Sequence, residues 1–219
     1  MKPDYQKAAI KAAETLIQHG IKSTPVSPLP ILKSTPGVLV FSYQDVSEKL
    51  DQDRRCVMSM FGNGNQDAFT TVNRNNGKPQ YIVTYNQRLS NVLVQRSLAR
   101  ELGHIILGHD GTLPEDVRNE EAKAFANHLL VPRALVHSIQ ASGLRFTVEL
   151  LGSLTGCYDY CLSCMRRIPP VSVPVELNRA VRDQFMDYII NYLEYACKTF
   201  ISDGSALADF GTYMEGYEE

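Results

Sequence analysis

Apolar positions recur at helical spacing over residues 4–19, where Ala9, Ala12, Ala13, Leu16 and Ile17 gather and Gly20 is placed to stop the run. Residues 22–37 hold four prolines and read as a stiff connector that does not stay helical for long. Residues 38–41, Val-Leu-Val-Phe, read as a short buried strand, with a small helix over 47–54 beneath it. Between residues 68 and 86 the chain reads as a hairpin. Residues 69–72 form one arm, Asn76-Gly77 supplies the turn signal, and Tyr81, Val83 and Tyr85 alternate with Ile82 and Thr84 on the return arm.

From residue 90 to 108 the period returns to that of a helix, with Val94, Leu98, Leu102, Ile105 and Ile106 on one stripe. His109-Asp110-Gly111 reads as a turn. Pro114 is suited to begin a helix that reaches residue 130 and buries Ala122, Phe125, Ala126, Leu129 and Leu130. Pro132 ends it and can start the next. The rest reads as all-helical: 147–154, stopped by Gly156; 158–167, stopped by Pro169-Pro170; and one long helix over 177–201 carrying Val181, Phe185, Ile189, Leu193, Ala196 and Phe200. Residues 204–219 are acidic and read as a loose tail. The pattern predicts an α+β fold: a small, mainly antiparallel sheet on a pair of helices, then a helical C-terminal region. The expected domains are 1–140, 141–203 and the tail.

The balance of 22 Lys and Arg against 24 Asp and Glu argues against a surface built wholly for nucleic acid or membrane. No 18-residue apolar run is present, so no membrane-spanning helix is expected. The charged N-terminus lacks the apolar core of a secretory signal, and five cysteines is an odd count, so reduced thiols in a cytoplasm are the expectation.

The chemistry-bearing stretch is Ala99-Arg100-Glu101-Leu102-Gly103-His104-Ile105-Ile106-Leu107-Gly108-His109. In the motif H-E-x-x-H, two histidines one turn apart share a helix face and bind zinc, while the glutamate acts as general base. Here Glu101 and His104 are in place and Arg100 stands where the first histidine would be. Downstream lies Asn119-Glu120-Glu121-Ala122-Lys123-Ala124-Phe125-Ala126-Asn127-His128-Leu129-Leu130-Val131-Pro132.

Together these segments resemble the ImmA/IrrE family of zinc metallopeptidases, whose pattern is roughly H-E-L-G-H-x-x-L-G-H followed by E-A-x-x-F-A-x-x-L-L-x-P. Residues 21–26 and the strand 81–86 are similar to that family too, so the resemblance covers about residues 4–137. It implies a zincin-like helix pair with Glu101 as catalytic glutamate, and His104 and Glu121 as metal ligands. Glu120 is the alternate to Glu121 if the register moves by one, and zinc is the implied cofactor. The family's setting is regulatory proteolysis in a bacterium, phage or mobile element. The implied partner is a protein substrate, typically a helix-turn-helix repressor.

Arg100 departs from that pattern in the one way that matters most. A guanidinium has no lone pair to offer and brings a permanent positive charge toward a dication. Two readings stay open. In one, zinc is lost and Arg100 ties the two helices through Glu121 or Glu101. What remains is an inactive pseudo-peptidase, a protein-binding regulatory module with no cofactor. In the other, another histidine completes the site. His109 can join only if the helix ends first, which Gly108 and Gly111 permit. His128 lies about 10 Å further along its helix than Glu121 and is too far for one ion. His128 and His137 read as surface or edge residues.

Cys157, Cys161 and Cys164 fall on one helical stripe and read as apolar filler. Residues 147–157 resemble the first helix and turn of a helix-turn-helix. The helix that follows presents few residues able to read bases, which argues against direct nucleic-acid binding.

Overall fold

A computed structural model describes residues 1–60, 67–73, 80–142, 152, 154–156 and 171–202. The chain divides into two compact units. The first comprises Met1–Pro3 and Ser27–Ala126, the second Asp4–Val26 and Asn127–Glu219. The divide falls inside one helix, between Ala126 and Asn127.

The first unit has an α+β fold. The proline-bearing connector does form a helix, α2 (Pro28–Ser34), but only a short one, with Pro28 at its first position where no amide donor is needed. Next come β1 (Val38–Ser42), α3 (Tyr43–Leu50), α4 (Arg54–Met60), β2 (Ala68–Asn73), β3 (Gln80–Tyr85), α5 (Asn91–Ile106) and α6 (Glu115–Leu130), after α1 (Tyr5–Gln18) of the second unit. The sheet has the order β1-β3-β2. β2 pairs antiparallel with β3, as the hairpin pattern predicts, with Thr70 opposite Val83. β1 joins the other side of β3 in parallel, so the sheet is mixed.

Two local expectations are corrected here. β1 is an edge strand rather than a buried one, and Leu39 is 42% exposed. The small helix starts at Tyr43, not 47, because Ser42 and Asp45 form a reciprocal capping box. The Ser42 backbone and hydroxyl hold the Asp45 carboxyl below its usual range. The turn at Asn76-Gly77 lies outside the described residues.

Helix α5 packs on α2 and on strands β2 and β3, and buries Leu98, Ala99, Leu102 and Ile105, close to the predicted stripe. Gly103 lies on the side facing α6. A methyl group added there would stand 3.1 Å from the Ala122 carbonyl oxygen and 3.1 Å from the Phe125 ring. Only a glycine lets the two helices come this close.

In the second unit, α7 (Arg133–Ala141), α8 (Val175–Gln184) and α9 (Met186–Ser202) pack with α1. The single helix expected over 177–201 is two helices. They break at Phe185, whose amide is shared between the carbonyls of Val181 and Arg182, at 3.1 Å each. That tightened turn lets the fully buried Phe185 ring lie edge-on to Tyr188. The Thr24 hydroxyl bonds the Leu154 carbonyl at 2.6 Å and the Tyr188 hydroxyl at 2.7 Å, fastening the loop after α1 to the rest of this unit. Cys157, Cys161, Cys164, the helix 158–167, most of 147–157 and the tail 204–219 lie outside the described residues. Among the described residues no helix is long and apolar enough to cross a membrane.

Candidate functional site

Strand β2 and helix α5, with the start of α6, border a cleft of about 650 Å³. Its lining includes Arg100, Glu101, His104, His109, Arg118 and Thr70. Four side chains singled out from the sequence, Arg100, Glu101, His104 and His109, therefore meet in one place, along with two, Arg118 and Thr70, whose roles no sequence spacing announces.

The end of α5 brings His109 into the group. Leu107 caps the helix, and Gly108 turns the backbone left-handed at φ +71°. The Gly108 amide donates to the Ile105 carbonyl at 3.1 Å and the His109 amide to the His104 carbonyl at 3.0 Å. This is a Schellman turn, and its longer bond joins the backbones of His104 and His109. With the backbones paired, the side chains follow. His104 Nδ1 lies 2.9 Å from His109 Nδ1, and the rings meet edge-on with centroids 5.0 Å apart. On its far side, His109 Nε2 lies 3.1 Å from Glu121 Oε2.

The result is a chain, Glu121 to His109 to His104. A carboxylate only accepts, so His109 donates to it through Nε2–H. One of the two Nδ1 atoms donates to the other, which closes the link from His109 to His104. Glu121 is only 4% exposed. It sits one turn before Phe125, on the buried face of α6, whereas Glu120 is turned outward and pairs with Lys123 at 2.6 Å. Of the two glutamates, Glu121 is the one turned toward the histidines. Burial pushes His104 down to about 4, and His109 and the cations of Arg100 and Arg118 add to the effect.

Glu101 points elsewhere. It accepts a 2.6 Å hydrogen bond from the Thr70 hydroxyl of β2. Burial raises its carboxyl above the usual range, against the opposing pull of Thr70 and the Arg100 charge. Thr70 could not be singled out from the sequence, because it reads only as one residue of a hairpin arm.

The expected Arg100 bridge does not form. Among the described residues Arg100 has no carboxylate within ion-pair distance, and its Nε is sealed from water without an acceptor. The reason is competition: Glu121 is held by His109 and Glu101 by Thr70. His109, not Arg100, links α5 to α6 at this point. His128 also differs from expectation. It is buried, 8% exposed, on the enclosed part of α6, and its Nε2 has no hydrogen-bond partner. His137 is exposed as expected, and neither lines the cleft.

The donor set as arranged does not fit a zinc ion. Zinc needs its nitrogen donors about 2.0–2.1 Å from one centre. The two nitrogens of His109 point away from each other, one toward His104 and the other toward Glu121, so the three groups line up instead of enclosing a point. Among the described residues no group of three or more metal-capable side chains forms a cage.

Residues 50–153 match the family model described as the IrrE N-terminal-like domain, a peptidase family. No curated protein and no solved structure matches the chain.

Proposed function

We propose that this chain, whose residues 50–153 match the IrrE N-terminal-like family model, keeps a peptidase-like cleft but carries a degenerate metal site. In this reading it holds a polypeptide segment without zinc-dependent cleavage. The setting is regulatory, in a bacterium, phage or mobile element. The partner is a protein, with a helix-turn-helix repressor as the first candidate. The observation that carries the reading is the His109 ring, hydrogen-bonded to both would-be ligands, His104 and Glu121. Arg100 supports it, because a guanidinium can neither ligate a metal nor lower the cost of bringing one close.

The test is elemental analysis of the purified full chain, together with mass spectrometry of a repressor or casein substrate incubated with it. The expected result is well under one equivalent of zinc and intact substrate, with a melting temperature that ignores chelators.

One observation favours a second reading. His104, His109 and Glu121 already touch in sequence, so a turn of the His109 ring could present a different donor set to an ion, with Glu101 nearby as base. About one equivalent of zinc and chelator-sensitive cleavage would establish that reading and overturn the first.

A further inference from the structure

The substituted position itself has chemistry that the cleft does not use internally. Arg100 lines the cleft and is partly buried. Among the described residues no carboxylate pairs with it, and its Nε has no acceptor. The two carboxylates that could serve it are engaged, Glu121 by His109 at 3.1 Å and Glu101 by Thr70 at 2.6 Å. Arg100 acts on Glu101 only from beyond ion-pair contact. A guanidinium left this way in a partly dry site is matched best by a planar anion that can take two of its N–H groups at once.

The other charges in the lining narrow the choice. Arg118 adds a second cation, fixed by donation from its Nε to the Leu113 carbonyl at 3.1 Å. Asp67, Asp110 and Glu115 line the same cleft and would repel a phosphate dianion or an acidic run. A single carboxylate meets both conditions.

We propose that Arg100 is a binding residue for one carboxylate group of the polypeptide that enters the cleft. It thereby recruits for recognition the position that a metal ligand would otherwise fill. The inference rests on the reading of the cleft as a peptide-holding site. The carboxylate can come from a chain's C-terminus or from an aspartate or glutamate side chain, and the two are separable.

The experiment uses the full chain and three peptides. One is N-acetyl-Ala-Ala-Ala-Leu with a free C-terminus, the second is its C-terminal amide, and the third is an amide in which an inner alanine becomes glutamate. Affinities are read by calorimetry, and the arginine Nε–H resonances by NMR on the same labelled sample. The free acid is expected to bind about 10- to 100-fold tighter than the plain amide, the range for a hydrogen-bonded charge pair. It should also shift one arginine Nε–H signal. R100Q should erase the difference between acid and amide, and R100K should recover only part of it. If the glutamate-bearing amide matches the acid, a side-chain carboxylate is the source and the proposal stands. Equal affinity for acid and plain amide, or no binding of either at millimolar concentration, overturns it. The comparison of peptides on the unmodified chain needs no variant, so a poorly folded R100Q leaves the proposal testable. Zinc content and peptide integrity are measured on the same samples. Bound zinc with cleavage would sink the degenerate-site reading, while the ratio of acid to amide still judges Arg100.

Discussion

Removing the His109 ring tests the contact on which the site's geometry depends. His109→Ala takes away the donor to a carboxylate that is only 4% exposed, and the hydrogen-bond partner of His104. Leaving a buried charged group without one of its hydrogen bonds costs about 1–3 kcal/mol, and the lost ring volume adds to that. The total expected is about 2–4 kcal/mol. For a chain of this length it corresponds to a fall in melting temperature of about 4–16 °C. The assay is urea denaturation followed by circular dichroism on four proteins: the parent, His109→Ala, Glu121→Ala and the double variant. If the two side chains bond each other, the cycle should show a coupling of about 1–3 kcal/mol. Glu121→Gln, which keeps an acceptor oxygen, should cost less than Glu121→Ala. A cycle that closes within about 0.3 kcal/mol would refute the reasoning, since groups in contact do not behave as independent sites.

Three further outcomes are expected. Arg100→His restores His-Glu-x-x-His, and should raise bound zinc from a small fraction toward about one equivalent by elemental analysis; a variant that still takes up none would show that Arg100 is not what keeps the ion out. Gly103→Ala should lose about 1–2 kcal/mol despite alanine's better helix propensity, because the new methyl meets the Ala122 carbonyl and the Phe125 ring at 3.1 Å; a rise in melting temperature would contradict the close approach. Burial, with Arg133 adding, pushes His128 from 6.5 down to about 4. The fold thus favours its neutral form, and the stability it contributes is complete above pH 6.5 and drains away as pH falls toward 4. By pH 5 about 2 kcal/mol should be gone. The check is the urea midpoint at pH 7.5 and 5.0 for the parent and for His128→Asn; parallel losses in both would acquit His128.

The chain's pattern made some of this legible and hid the rest for physical reasons. The α5 stripe and the Arg100, Glu101, His104 spacing follow from helical periodicity alone. Glu121 could have been preferred over Glu120, since it lies one turn before Phe125 and so shares its buried face. His109 was legible only as a permission: Gly108 and Gly111 allow a turn there, but whether the ring folds back depends on a carboxylate waiting on another helix. The break at Phe185 carried no signal, because Val181, Phe185, Ile189 and Leu193 keep an unbroken apolar spacing across it. The parallel pairing of β1 with β3 was equally hidden, since a five-residue strand says nothing about which neighbour it will choose.

A zincin-like helix pair normally owes part of its cohesion to an ion held between the helices, and metal binding is folding free energy in such sites. On the reading proposed above, losing the ligand at position 100 should then have loosened α5 from α6. Two features of this chain offset that. The glycine at position 103 lets the helices touch closely enough for dispersion contacts along the crossing. The turn at Gly108 carries an imidazole into the gap, where it satisfies the Glu121 carboxylate with a proton in place of a metal. Both operate without any contribution from Arg100, so the guanidinium is released from a structural duty and its charge faces the cleft. A side chain that neither ties the helices nor ligates an ion would be a pure liability in a partly buried site, and an incoming carboxylate turns the same charge into binding energy.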